Sequence, residues 1–260
     1  EVMTSIQSPV SMQVAKKVFS MFLRTRCDRE LFLSLHPGKV ITAEGLPEPL
    51  KRPGIGALSV AGREFEAARN DQLVRLWKTR AIYRLGKDRY EDVDLASALR
   101  SLAEAPSLII QGRFGVGSHK DQVLQHIGLA SADLGHVPAL AEFIPDILLI
   151  RRARADDQSV EVDGSRKPVK ADSDPRWAID IFDVKHTSEA NPSYCGEIAL
   201  YALMLANWLN LTPELRDRFY VSSRAYLWTR SQQGNSQLEQ LDTAGGAPFE
   251  QLEEALIHDS

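Results

Sequence analysis

WAIDIFDVK, Trp177 to Lys185, reads as a buried β-strand. Side chains in a strand alternate with period two, so Trp177, Ile179, Ile181, Asp183 and Lys185 share one face. Three large apolar residues anchor that face in a core. The same face then ends in a carboxylate beside an ammonium group. Asp180 falls on the opposite face and belongs outside any site built around Asp183.

Working outward, residues 145–150, PDILLI, form a second apolar strand with an acid at its start. Between the two strands lies 151–176, the most polar stretch of the chain, in which Asp163-Gly164 is a hairpin turn signal. Its basic and acidic residues nearly balance, which fits either a solvated hairpin or a flap beside a site. Residues 193–209 are apolar nearly all round, the pattern of a helix buried against a sheet. Residues 219–228, FYVSSRAYLW, supply another strand. A polar, glycine-containing loop is expected over 231–247 and a closing helix over 249–257.

Upstream, 11–33 has helical periodicity and carries a basic cluster of Arg24, Arg26 and Arg29. Proline and glycine mark 37–57 as a loop. A helix is expected from Gly62, with Phe65, Leu73 and Leu76 as core positions, and another over 93–103. Residues 107–114, SLIIQGRF, read as a strand, and a helix fits 121–127. The order of these elements predicts an α/β protein, with a small central mixed sheet flanked by helices and a helical N-terminal elaboration. A single domain, 1–260, is expected: 1–106 mainly helical, 107–230 the core, and 231–260 a loop and helix.

The 260 residues are 43% hydrophobic and 25% charged, with a formal net charge of −4. That is ordinary globular composition, and nothing in it resembles a basic protein that coats nucleic acid. Two cysteines are too few for a disulfide framework, so a reducing, cytoplasmic setting is expected. The longest apolar run, 198–211, is too short for a membrane span, and no membrane partner is expected.

An acid opening one strand and an acid–lysine pair closing the next suit phosphodiester hydrolysis. Mg²⁺ and Mn²⁺ take oxygen ligands, and Asp146, Asp183 and the backbone carbonyl of Val184 suffice for one ion, with Glu66 as a further ligand directly or through water. Lys185 is placed to orient the attacking water or to stabilise charge on the phosphate. Arg24 and Arg26 are candidates for phosphate-backbone contact.

Pro145-Asp146 followed by Asp183-Val184-Lys185 resembles the PD-(D/E)xK nuclease motif, in particular the RecB-like branch that includes the CRISPR-associated exonucleases. Three further stretches carry the resemblance. Glu197 and Tyr201, in YCGEIALYALML, sit where that branch has a Gln-x-x-x-Tyr signature. GREFE, 62–66, is similar to its early helical motif ending in His or Glu. RTRCDRELFLSLH, 24–36, is similar to its N-terminal helix. The resemblance spans about residues 11–230.

What the resemblance implies is a restriction-endonuclease-like core and a metal-dependent nuclease acting on DNA, in repair or antiviral defence, beside a helicase or another defence-system protein. Asp146, Asp183, Lys185 and Glu66 take the catalytic positions, and Tyr201 and Glu197 shape the substrate wall. Tyr201 fits equally well as a core residue with a satisfied hydroxyl. The chain departs from the pattern in three ways. The gap between Asp146 and Asp183 is long, Glu197 replaces the usual Gln, and the four cysteines of the iron–sulfur members are missing, so no such cluster is expected. The alternative is a catalytically silent member of the fold that binds nucleic acid or docks in a larger complex.

Overall fold

A computed structural model describes residues 55–87, 89–132, 134, 139–187, 192–230 and 236–240, with positions 13, 14, 18, 21, 22 and 25 near the start. In chain order the elements are β1 (Gln13–Val14), α1 (Ile55–Trp77), β2 (Ala81–Ile82), β3 (Arg84–Leu85), β4 (Tyr90–Glu91), β5 (Val93–Asp94), α2 (Leu95–Ser101), β6 (Ser107–Ile110) and β7 (Gly112–Arg113). There follow α3 (Lys120–His126), β8 (Ala139–Leu140), β9 (Ile147–Arg151), β10 (Gln158–Val160), β11 (Arg166–Pro168), β12 (Trp177–Lys185), α4 (Pro192–Asn210), α5 (Pro213–Arg216), β13 (Phe219–Arg230) and β14 (Ser236–Gln240).

Eight of the strands form one mixed sheet in the order β11-β10-β13-β12-β9-β6-β2, with β14 also paired to β13. β12 lies near its middle, antiparallel to β9 and parallel to β13. A parallel neighbour needs a long crossover, and α4 supplies it. Because β12 is covered on both faces, seven of its nine residues are buried and six are apolar, as a central strand requires.

The alternation along β12 sorts the core. Ile179 and Ile181 pack with Ile198, Tyr201 and Leu205 of α4 and with Leu95 and Leu99 of α2. Phe182 and Val184 face the other way, onto Leu73 and Trp77 of α1. The sheet is therefore covered by α1 on one face and by α2 and α4 on the other. Leu73 and Trp77, one turn apart, form the buried stripe of α1, with Phe65 two turns earlier packed against it. α2 starts where it does because the Asp94 carboxylate accepts from the Ser97 backbone N–H at 2.8 Å, an N-cap.

The fold class is the expected α/β, but the sheet is larger than the small one predicted, because β2, β10, β11 and β14 extend it. Several boundaries differ too. α1 begins at Ile55, inside the stretch read as a loop. Val93 and Asp94 are strand rather than helix, since β5 pairs with β7 before α2 begins. The described residues among the first 106 thus mix helix with short strands. Gln13 and Val14 pair in parallel with β8, so this part of 11–33 is extended rather than helical. The strand read over 107–114 breaks at Gln111, whose φ of 53° turns the chain between β6 and β7. Residues 236–240, read as loop, are β14. Arg24, Arg26, Arg29 and the helix expected over 249–257 lie outside the described residues. Among the described residues no helix is long and apolar enough to cross a membrane.

The polar stretch 151–176 is not simply a solvated hairpin. The turn at Asp163-Gly164 forms, with Gly164 at φ 82° joining β10 to β11. Its first residue, however, is the last of β9. The Arg151 guanidinium is 0% exposed and lies between two carboxylates. It donates to Asp157 at 2.7 and 2.9 Å and to Asp180 at 2.6 and 3.0 Å. It also donates to the Arg152 carbonyl at 3.0 Å. Tyr220 OH and the Arg154 N–H donate to Asp157 as well, both at 2.8 Å. This network pins the start of the stretch to the α1-side face of the sheet.

Candidate active site

The site follows from a mismatch in strand lengths. β12 pairs with β9 only from Ala178 to Phe182, opposite Arg151 to Ile147. With β13 it pairs as far as Lys185, opposite Thr229. Asp183, Val184 and Lys185 therefore run beyond β9 while β13 still holds them straight. Asp146, the residue just before β9, fills part of the gap, because its Oδ2 accepts from the Val184 N–H at 2.7 Å. A residue's N–H and C=O leave an extended strand from the same edge, so the Val184 carbonyl faces this open side too.

On the α4-side face, the Asp183 carboxylate is 0% exposed and its Oδ2 lies 2.7 Å from Lys185 Nζ. The same Nζ is 3.1 Å from Glu197 Oε2 in the second turn of α4, and 5.4 Å from the centre of the Tyr194 ring. Lys185 keeps 19% of its side chain in solvent. It is thus the half-open member of a group whose other charges are mostly covered.

Tyr201, one turn after Glu197, is fully buried. Its hydroxyl donates to the Ile144 carbonyl at 3.0 Å, two residues before Asp146. The phenol is held far above its ordinary pKa by burial and then by the charges of Asp146 and Asp183. Both aspartates therefore lie near this one ring. Of the two expectations for Tyr201, its position is that of a core residue with a satisfied hydroxyl, and it supports the 144–146 segment from behind.

Glu66 reaches the site through an intermediary. Its Oε1 accepts from Gln111 Nε2 at 2.6 Å, and the Gln111 backbone N–H donates to the Asp146 carbonyl at 2.9 Å. Gln111 was not foreseen, although the sequence held a signal. The glycine after it interrupts an apolar strand, a mark of a bend or close approach. A Cβ on Gly112 would meet Leu95 Cδ1 at 3.0 Å and Leu148 Cδ1 at 3.2 Å. The tight packing there fixes Gln111 at its turn.

The structure thus brings Asp146, Asp183, Lys185, Glu197 and Tyr201 together, with Glu66 joined through Gln111. Among the described residues, no three His, Cys, Asp or Glu side chains form a group that could hold a metal ion. The donors on the page are hard oxygens, the carboxylates of Asp146 and Asp183 and the carbonyl of Val184. Among the described residues, these carboxylates and that of Glu197 outnumber the ammonium of Lys185. Hard-oxygen donors of this kind fit a divalent ion that keeps several waters.

Comparison with family models, with curated proteins and with solved structures finds no match.

Proposed function

We propose that this chain is a metal-dependent nuclease that hydrolyses DNA phosphodiester bonds on a restriction-endonuclease-like core. The observation that carries the reading is the open end of β12, where Asp183 and Lys185 meet Asp146 across the Val184 N–H. The mixed sheet covered by α1 and α4, with the acids at one end of adjacent strands, supports the same reading. A Mg²⁺ or Mn²⁺ ion held there supplies Lewis acidity toward a phosphate oxygen and a bound water of lowered pKa. Asp146 and Asp183 hold the cation, and the Val184 carbonyl is the third oxygen. Lys185, whose ammonium group stands between Asp183 and Glu197, stabilises charge on a phosphate or orients water. Glu197 limits the swing of Lys185, and Glu66 with Gln111 steadies the Asp146 backbone. The resemblance in the motifs adds a role in repair or antiviral defence beside a helicase or another defence protein.

The test is cleavage of labelled single- and double-stranded DNA with Mg²⁺ or Mn²⁺, comparing the unaltered chain with Asp183→Ala and Lys185→Ala. Metal-dependent cutting that survives both changes removes the site assignment.

One observation favours a second reading. Asp183 is wholly covered, and Lys185 is held by two carboxylates. A silent module that binds nucleic acid without cutting it would tolerate such a self-satisfied group. Calorimetric titration with Mn²⁺ separates the two. No metal uptake together with retained DNA affinity selects the module.

A further inference from the structure

The chain is acidic overall, yet one groove beside the site is lined with cations. Val60, Arg63 and Glu64 of α1 form one wall, and Lys87, Arg89 and Glu91 form the other. The groove encloses about 510 Å³ and continues, past Arg63 and Arg89, into a pocket of about 90 Å³ that ends on Glu66 and Gln111. Gln111 is the residue that ties Glu66 to Asp146. The groove therefore leads to the candidate centre.

Its far wall is held in place. β3 and β4 pair antiparallel, and the Gly86 N–H donates to the Arg89 carbonyl at 2.8 Å to close the turn. Tyr90 OH donates to Asp71 Oδ1 at 2.7 Å, fastening the hairpin to α1. Arg63, Lys87 and Arg89 are exposed, and among the described residues none of them is in a salt bridge. Arg63 makes a hydrogen bond to Ser59 at 3.0 Å, which leaves most of its donors open. Glu91 is already taken by Arg84 at 3.0 Å, so Glu64 is the one acid of these walls that opposes the three cations. Asp88, between Lys87 and Arg89, lies outside the described residues. One exposed apolar side chain lines the groove, Val60 at 45%.

We propose that this groove holds one strand of DNA, with Arg63, Lys87 and Arg89 on successive phosphates and Val60 against unpaired bases. The inference rests on the nuclease reading for its direction, toward Glu66. Cations set at intervals along a groove track a phosphate backbone without reading sequence, and apolar side chains suit bases that have left a duplex.

The test is fluorescence anisotropy of the full chain with labelled single-stranded and duplex DNA in EDTA, over a range of salt. The variants are Arg63→Ala/Lys87→Ala/Arg89→Ala, and Lys167→Ala/Lys170→Ala on the distant hairpin as control. Thermal melts establish that both fold. The groove variant is expected to bind the single strand at least about tenfold more weakly, and its slope of log affinity against log salt should flatten by about 2. The control should match the unaltered chain. Equal binding by the groove variant, equal loss in the control, or a preference for duplex overturns the proposal. Cleavage with Mn²⁺ keeps the two readings apart. If the chain binds through the groove but cuts nothing, the nuclease reading falls and the groove stands. If the groove variant cuts the strand as fast as the unaltered chain, the groove falls and the nuclease reading stands.

Discussion

Replacing Arg151 with Met should be among the most damaging changes available outside the candidate site. The guanidinium is 0% exposed and makes paired bonds to Asp157 and Asp180, whose side chains are 0% and 1% exposed. Met keeps most of the volume but leaves two buried carboxylates without a cation. Breaking a single buried pair in this way costs about 3–5 kcal/mol. For a chain of this size that is a fall in melting temperature of roughly 10 °C. The pH dependence is the sharper signature. In the unaltered chain burial pushes Asp157 up, but the Arg151 hydrogen bond and charge outweigh it and hold the carboxyl below its usual range. A depressed folded pKa stabilises above the unfolded value of about 3.9 and is lost as pH falls through the folded one. In Arg151→Met the sign reverses. Both acids become buried carboxylates without a cation, Asp157 keeping only its bonds from Tyr220 and Arg154, and protonation relieves the uncompensated charge. The destabilisation should therefore be larger at pH 8 than at pH 5. Urea denaturation at both values reads this directly. A loss below about 1 kcal/mol, or one that is the same at both pH values, would refute the argument that Arg151 neutralises these acids. Arg151→Met/Asp157→Asn/Asp180→Asn should recover part of the loss, because it removes the uncompensated charge.

Other consequences bear on the site. Asp183→Asn and Lys185→Ala should each lower Mn²⁺-dependent cleavage by about 10²–10³-fold, measured in single turnover. Glu197→Gln should weaken Mn²⁺ binding by about tenfold in calorimetry, since it frees Lys185 to pair with Asp183 alone. Tyr201→Phe should cost about 1–3 kcal/mol in urea denaturation by leaving the Ile144 carbonyl without its donor. Gln111→Gly should be more stable than Gln111→Ala by about 1 kcal/mol, because only glycine holds a φ of 53° without strain, yet both should lose the tie to Glu66.

The strands were legible where burial is two-sided. WAIDIFDVK spans β12 as read, because an apolar run broken only by Asp180 before its acid–lysine end admits few alternatives. α4 was legible for the same reason, and so was the hairpin at Asp163-Gly164, where backbone chemistry is local. Edge strands were not. β2 is two residues long and β11 is wholly exposed, so neither leaves a hydrophobic period to read. Arg151 was counted with the polar stretch because a run of arginines, Arg151, Arg152 and Arg154, after an apolar strand signals an exit to solvent. Only the acids brought to it from β12 and from the next turn make it a core residue. Gln111 escaped for a related reason. Its role lies in one backbone dihedral and two hydrogen bonds to distant residues, and no spacing in the chain encodes either.

The two acids of WAIDIFDVK show how the fold separates structure from chemistry. Asp180 and Asp183 are three residues apart on one strand and both are covered by protein. Their parity puts them on opposite faces. Asp180 faces the α1 side, where β9 still pairs with β12 and delivers Arg151 to cancel its charge. Asp183 lies past the end of β9, where it pairs with Lys185 and where Asp146, just before the neighbouring strand, adds a second acid. That lysine is shared with Glu197. A covered carboxylate needs a positive partner. At Asp180 the chain supplies that partner completely. At Asp183 the partner is a lysine that a second carboxylate also holds. The same physical requirement thus yields a closed arginine network at one end of the strand and a shared, partly solvated lysine at the other. The length of β9 is what decides which acid receives which fate. Extending β9 pairing past Asp146 would be expected to close the site, whatever side chains remained in it.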